Sequence, residues 1–146
     1  MRNALFLLGL ISCSVSIGQD STTVSDLDWD TRFKGVRVIK TQENLDGMSL
    51  KDMKGKATQV RYICFHESGS EIQNGMEGRP LLISEKTMAN YIDGFTIGVK
   101  KFREGEKGYI WIPKKLGYGK DNFGDERLSG NLVYYLEILE KNPGKK

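Results

Sequence analysis

From Gly35 onward the apolar residues fall in short runs, several of them alternating with polar ones and each bounded by Gly, Pro, Asn or Asp. That is the pattern of strands joined by turns. Val36 to Lys40, Thr58 to His66, Pro80 to Ile83, Lys107 to Ile112 and Leu132 to Leu139 read as strands. Between the third and fourth runs the period changes, because Met88, Tyr91, Ile92, Phe95 and Val99 recur at three- and four-residue steps. This spacing lines one face of a helix, predicted over Glu85 to Val99 with Ser84 as its N-cap. The expected fold is α+β: a strongly twisted antiparallel sheet of about five strands wrapped around one short α-helix.

The period-two rule also divides the strand residues between two faces. With Tyr62, Ile110, Ile112, Leu132, Tyr134 and Leu136 facing inward, Ile63, Phe65, Tyr109, Trp111, Val133 and Tyr135 fall on the outer face. Such a face is too apolar for open water. Leu27, Trp29 and Phe33, three large apolar residues at the end of a polar segment, are expected to fold back over it.

The chain begins with a different pattern. Arg2 precedes the apolar run Ala4 to Ile11, and small residues follow. Residues 1–18 therefore read as a signal peptide, too short in its apolar core for a membrane-spanning helix, which needs ~20 residues. Two processing sites compete: Ser16-Ile17-Gly18 suits ordinary cleavage, and Leu10-Ile11-Ser12-Cys13 resembles a bacterial lipobox that would place a lipid on Cys13. An exported protein of the periplasm or cell envelope is expected, touching a membrane only through that lipid. Residues 19–34, rich in Ser, Thr and Asp, read as a tether, 35–141 as the folded domain and 142–146 as a basic tail. No long helical extension suggests an oligomer, so a monomer is expected.

Charge and cysteine usage exclude several classes of function. The net charge of +3 comes from interspersed acids and bases, which gives no footprint for nucleic acid. With residues 1–18 removed, Cys64 stands alone and forms no internal disulfide. Cys64 and His66 share a strand face, the pairing a thiolate nucleophile would use, but side chains two apart on a strand run roughly parallel. The expectation for Cys64 is a small buried hydrophobe. One His and no paired ligand spacing point to no metal site. Asp121 to Glu126 lacks the alternating oxygen ligands of an EF-hand loop. Gly117-Tyr118-Gly119 lacks the third glycine of a dinucleotide motif. The loop from Lys120 to Asn131 is long enough to carry function.

Ile112-Pro113-Lys114-Lys115-Leu116-Gly117-Tyr118-Gly119 and Tyr91-Ile92-Asp93-Gly94-Phe95 stand in order with Tyr62, Gly105-Glu106-Lys107 and Leu132-Val133-Tyr134. Together they resemble the FK506-binding (FKBP) type of peptidyl-prolyl cis/trans isomerase, over about Val36 to Glu140. The apolar-Pro-x-x-Leu-Gly-Tyr-Gly spacing is the most specific piece. By that resemblance Tyr62, Phe95, Tyr118 and Tyr134 are the catalytic aromatic set of a proline pocket, and Ile72, Gln73, Leu81, Tyr91 and Ile92 bind substrate around it. The Ile92 N–H and the Tyr118 hydroxyl would donate to carbonyls of the bound peptide. The implied partners are proline-containing polypeptides, and no cofactor is needed.

The sequence also departs from the family pattern. Phe95 replaces the tryptophan of the pocket floor and Tyr91 a valine at its entrance. Ile72-Gln73 replaces a Phe-Asp pair, so the pocket carboxylate is absent. Arg127-Leu128-Ser129-Gly130-Asn131 replaces an apolar, proline-rich flap. Two functions follow: an isomerase that works without the Asp and assists folding of exported proteins, or a binding module or chaperone of the same fold with little catalysis. A plain core role for the aromatic residues is the bland alternative, against which the Leu-Gly-Tyr-Gly spacing argues.

Overall fold

The computed structural model describes residues 30–33 by their backbone and residues 35–141 throughout. Among these residues seven antiparallel strands form one sheet: β1 (Asp30–Phe33), β2 (Val36–Gln42), β3 (Ala57–His66), β4 (Glu71–Asn74), β5 (Leu81–Ser84), β6 (Lys107–Ile112) and β7 (Leu132–Ile138). They lie in the order β1-β2-β6-β7-β3-β4, with β5 also paired to β3. The two strands beyond the expected five are β4, whose Glu-Ile-Gln-Asn carries a single apolar residue, and β1, formed within the segment read as a tether.

β3 is the longest strand and has two partners along one edge. Its first half, Ala57 to Val60, pairs with β5, and Ile63 to Phe65 pair with β4. Arg61 and Tyr62 lie between, where the edge passes from one partner to the other.

The predicted continuous helix is in fact two. α1 (Glu85–Met88) is one turn, opened by a full capping box in which Ser84 Oγ accepts from Thr87 N–H and Thr87 Oγ1 accepts from Ser84 N–H. The chain then leaves the helical region, Ile92 taking φ −58° and ψ 147°, and restarts as α2 (Asp93–Val99) with Asp93 in the first turn. Asn90 and Asp93, both poor helix-interior residues, flank the break. Thr96 Oγ1 donates to the Met88 carbonyl and ties the second helix to the end of the first.

α2 packs on β2 and β6. A Cβ at Gly94 would lie 2.2 Å from Ile112 Cγ2, and one at Gly98 2.5 Å from Ile110 Cδ1, so only glycine permits so close an approach. The core beneath holds Val36, Val38, Val60, Phe95, Val99, Ile110, Ile112, Leu132 and Leu136, which makes the inward set the one that alternation predicts.

Among the described residues Glu106 is the one fully buried charge, with no exposed surface. Its carboxylate accepts from Arg103 N–H (2.8 Å) and Asn44 N–H (3.2 Å) and pairs with Lys40 Nζ at 2.8 Å. A carboxylate withdrawn from water persists only with such compensation. It fastens the end of β2 to the turn before β6.

Ile39, Ile63, Phe65, Tyr109, Trp111, Val133 and Tyr135 form a second apolar cluster, the outer face that alternation predicts, with Ile39 added. Leu27 and Trp29 lie outside the described residues. The side chain of Phe33 lies outside them as well.

Candidate active site

A cavity of about 140 Å³ opens at the junction of β3, β4, β5 and α2. That is well below the ~300–1,000 Å³ of pockets that take drug-sized ligands, and it suits one small ring. Tyr62, Phe95, Tyr118 and Tyr134 line it together with Gln73, Leu81, Asn90, Tyr91 and Ile92.

Each wall has a local cause. Phe95 sits on the face of α2 turned to the sheet, and the approach licensed by Gly94 and Gly98 sinks its ring to 2% exposure. Tyr134 comes from the middle of β7, paired with Ile110 on one side and Cys64 on the other. The Phe95 and Tyr134 rings meet edge to face at 5.3 Å, and Tyr62 joins them with its centroid 6.0 Å from that of Tyr134. Such contacts hold ring orientation beyond what area burial does. Gly75 backs Tyr62: its N–H donates to the Tyr62 carbonyl at 2.8 Å, and a Cβ there would come within 2.9 Å of Tyr62 Cε1.

The helix break builds the mouth. Tyr91 projects from the interruption, 5.3 Å from the Phe95 ring, with its hydroxyl donating to the Leu82 carbonyl at 3.3 Å. Ile92 caps α2, and no backbone hydrogen bond among the described residues uses its N–H. An uninterrupted helix would have committed that group to a carbonyl four residues back.

Burial is the largest influence on the phenols. It raises Tyr62 above its usual range, with Cys64, Tyr118 and Tyr91 adding to the effect. It raises Tyr134 far more, reinforced by Cys64 and Tyr118, including hydrogen bonds to both. Both phenols therefore remain neutral. Burial likewise pushes the Cys64 thiol up to about 11, which leaves it protonated and poorly nucleophilic. His66 Nδ1 is occupied by Ser68, bonding its Oγ at 2.8 Å and accepting from its N–H at 3.1 Å. No Cys/His couple forms.

The loop after Tyr118 carries a 3₁₀ turn at Glu126–Ser129. Arg127 pairs with Asp125 and donates to the Glu71 carbonyl at 3.1 Å, which ties the loop to β4. Asn131 fixes its end, accepting from Lys114 N–H and donating to Glu67, each at 2.8 Å. Phe123, at φ 50°, lies exposed with its ring 6.1 Å from that of Tyr118.

The structure thus gathers eight of the nine residues named from the sequence. Ile72 is not among the lining residues and packs instead against the main core. Asn90, at the exposed rim, was missed, and so was Gly75 behind Tyr62. A hydrophobic-period reading passes over both residue types; only the close approach that Gly75 requires marks it.

Residues 50–139 match the family described as FKBP-type peptidyl-prolyl cis-trans isomerase. The mouse peptidyl-prolyl cis-trans isomerase FKBP2 is 28% identical over 124 residues, covering 82% of this chain and 88% of the mouse protein. A Neisseria meningitidis serogroup B protein named FK506-binding protein is 28% identical over 96 residues, 65% of this chain and 88% of that protein. Among solved structures, FkpA from Escherichia coli superposes with a TM-score of 0.64 at 27% identity over 80% of this chain; the match spans 53% of FkpA. AtFKBP13, at 18% identity and a TM-score of 0.63, shares the fold.

Proposed function

This chain belongs to the FKBP-type peptidyl-prolyl cis-trans isomerases, and we propose that its aromatic cavity is where it turns X–Pro bonds of exported polypeptides between cis and trans. The observation that carries this reading is the convergence of Tyr62, Phe95 and Tyr134, drawn from three separate elements, on one ring-sized cavity.

Rotation about an X–Pro bond needs no nucleophile or metal, because the obstacle is amide resonance, a barrier of ~18–20 kcal/mol for peptide bonds in general. In the twisted state the nitrogen becomes pyramidal and the carbonyl less polar. An apolar, water-poor cavity therefore favours that state over the planar one. Phe95 and Tyr134 form its buried floor, Tyr62 one wall, and Tyr91 and Leu81 narrow the mouth. The Ile92 N–H and the Tyr118 hydroxyl hold carbonyls of the flanking peptide, orienting it so that proline enters ring first. Each 1.4 kcal/mol by which these contacts favour the twisted amide over the planar one is worth about tenfold in rate.

Gln73 lines the cavity, at the position where the resemblance implies a carboxylate. Since desolvation and orientation carry the mechanism, a neutral amide lowers the rate without removing the reaction. The substrates are proline-containing segments of proteins in the periplasm or cell envelope, a reading supported by the leader-like residues 1–18 and by the likeness to FkpA. We take the protein to act as a monomer with residues 35–141 as its catalytic domain, released by cleavage after Gly18 or held by a lipid on Cys13.

A protease-free assay of cis-to-trans relaxation in short X–Pro peptides tests this. The protein should accelerate relaxation, Phe95→Leu should abolish most of the effect, and Tyr118→Phe should reduce it. A folded wild-type protein that leaves the uncatalysed rate unchanged would overturn the proposal and leave a peptide-binding module.

A further inference from the structure

The outer face of the sheet is ordered in rows. Ile39, Tyr109, Tyr135 and Ile63 lie in register across β2, β6, β7 and β3, and Arg37, Trp111, Val133 and Phe65 form the next row. Its borders are polar. Arg37 stacks on the Trp111 ring at 4.4 Å, and at the other side the Tyr135 hydroxyl donates to Glu137, which pairs with Lys107. Between them the centre is dry: Phe65, Tyr109 and Val133 are only 5%, 6% and 3% exposed. Both described helices contribute their buried residues to the opposite face, with Met88, Phe95 and Val99 in the main core. A single sheet layer cannot desolvate its own outward side chains, so this face needs a second layer.

The way the chain enters the sheet identifies that layer. β1 is the edge strand beside β2, and Asp30 pairs with Val38. Val38 belongs to the inner core, whereas its neighbour Ile39 belongs to the outer cluster. Continued by the two-residue period, that register would bring position 29 level with Ile39, and position 27 shares its parity. Those positions are Trp29 and Leu27, the only large apolar residues between Gln19 and Asp30. Eleven residues precede Asp30 in that stretch, a reach of up to ~35 Å when extended, enough to cross four strands spaced ~4.8 Å apart.

We infer that residues 19–29 dock on the outer face of their own sheet, with Trp29 and Leu27 covering the cluster around Tyr109 and Val133. The remainder of the segment, Asp20 to Ser25, is polar apart from Val24. The segment is then a cover for a sheet that would otherwise present its apolar face to other chains, on the side away from the cavity.

The test uses the full chain as purified from the producing cell, with both tryptophans replaced biosynthetically by 5-fluorotryptophan and Trp29→Phe used to assign the two fluorine resonances. The expected result is a Trp29 resonance with the small H₂O/D₂O shift of a buried ring, independent of protein concentration, in a protein that sediments as a monomer. Leu27→Asp should enlarge that shift severalfold and leave X–Pro relaxation unchanged. Three results would each overturn the inference. A Trp29 resonance with the solvent shift of free fluorotryptophan in a monomer leaves the face to a different protein; the same shift in a concentration-dependent dimer leaves it to a second copy. Protection that appears only on dimerisation also assigns the cover to the second copy.

Discussion

The Phe95 ring meets the Tyr134 ring edge to face at 5.3 Å, joining the helix to the central strand of the sheet at the floor of the cavity. Phe95 is therefore both a core residue and a wall of the candidate site. Phe95→Ala should lower stability by ~3–5 kcal/mol as well as remove catalysis. Phe95→Trp, which restores the family's usual floor, should keep the fold and catalyse at least as fast as the wild type. Urea unfolding and the peptide relaxation assay, run on the same preparations, separate the two effects.

Glu106 governs stability at a distance from the cavity. Glu106→Ala leaves the Lys40 ammonium and the N–H groups of Asn44 and Arg103 without their acceptor. A loss of ~3–5 kcal/mol is expected. Glu106→Gln, which keeps an acceptor oxygen but not the charge, should fall between. Thermal unfolding should show the Ala variant melting about 10 °C or more below wild type, with the residual folded protein still active.

Gly98 fixes how closely α2 approaches β6. Gly98→Ala would push a methyl group to 2.5 Å from Ile110 Cδ1 and lift the helix, at ~1–3 kcal/mol. Combining it with Ile110→Val should recover part of that loss. A double-mutant cycle reads the coupling directly; strictly additive effects would mean that the helix is seated by something else.

Alkaline conditions should weaken the fold before they alter the cavity. Burial raises Cys64 from 9.0 to about 11 and Tyr109 from 10.0 to about 12. The folded state favours the neutral forms, so their contribution is complete below pH 9. It declines as pH rises through 11 for Cys64 and through 12 for Tyr109, because the unfolded chain releases those protons first. Urea midpoints measured between pH 9 and 11 should fall, and less steeply in Cys64→Ala. The same burial predicts that iodoacetamide leaves the native protein unmodified and its activity unchanged.

The long strands were legible in the sequence because alternation in β3, β6 and β7 reflects a sheet with two distinct apolar faces. β4 was not, since Glu71–Asn74 is held by pairing to β3 and offers one apolar side chain to any pattern. The helix was legible in its buried face and not in its continuity. Met88, Phe95 and Val99 contact one core whether or not the backbone between them is helical, so periodicity passes over the break at Ile92. At the site, eight of the nine residues named on the resemblance line one cavity, while Ile72 packs against the main core, since neighbours on a short edge strand need not face the same space. Asn90 and Gly75 act through position alone, which single-sequence patterns do not encode.

β7 follows all the other strands in the sequence yet lies inside the sheet, between β6 and β3. Until residues 132–138 arrive, β1, β2 and β6 form one fragment and β3, β4 and β5 another, with no seam between them. Assembly thus waits on contacts far apart along the chain, which makes it slow. A chain threaded across a membrane from its N-terminus would stay loose for nearly the whole passage, its two half-sheets joining only when the last strand emerges.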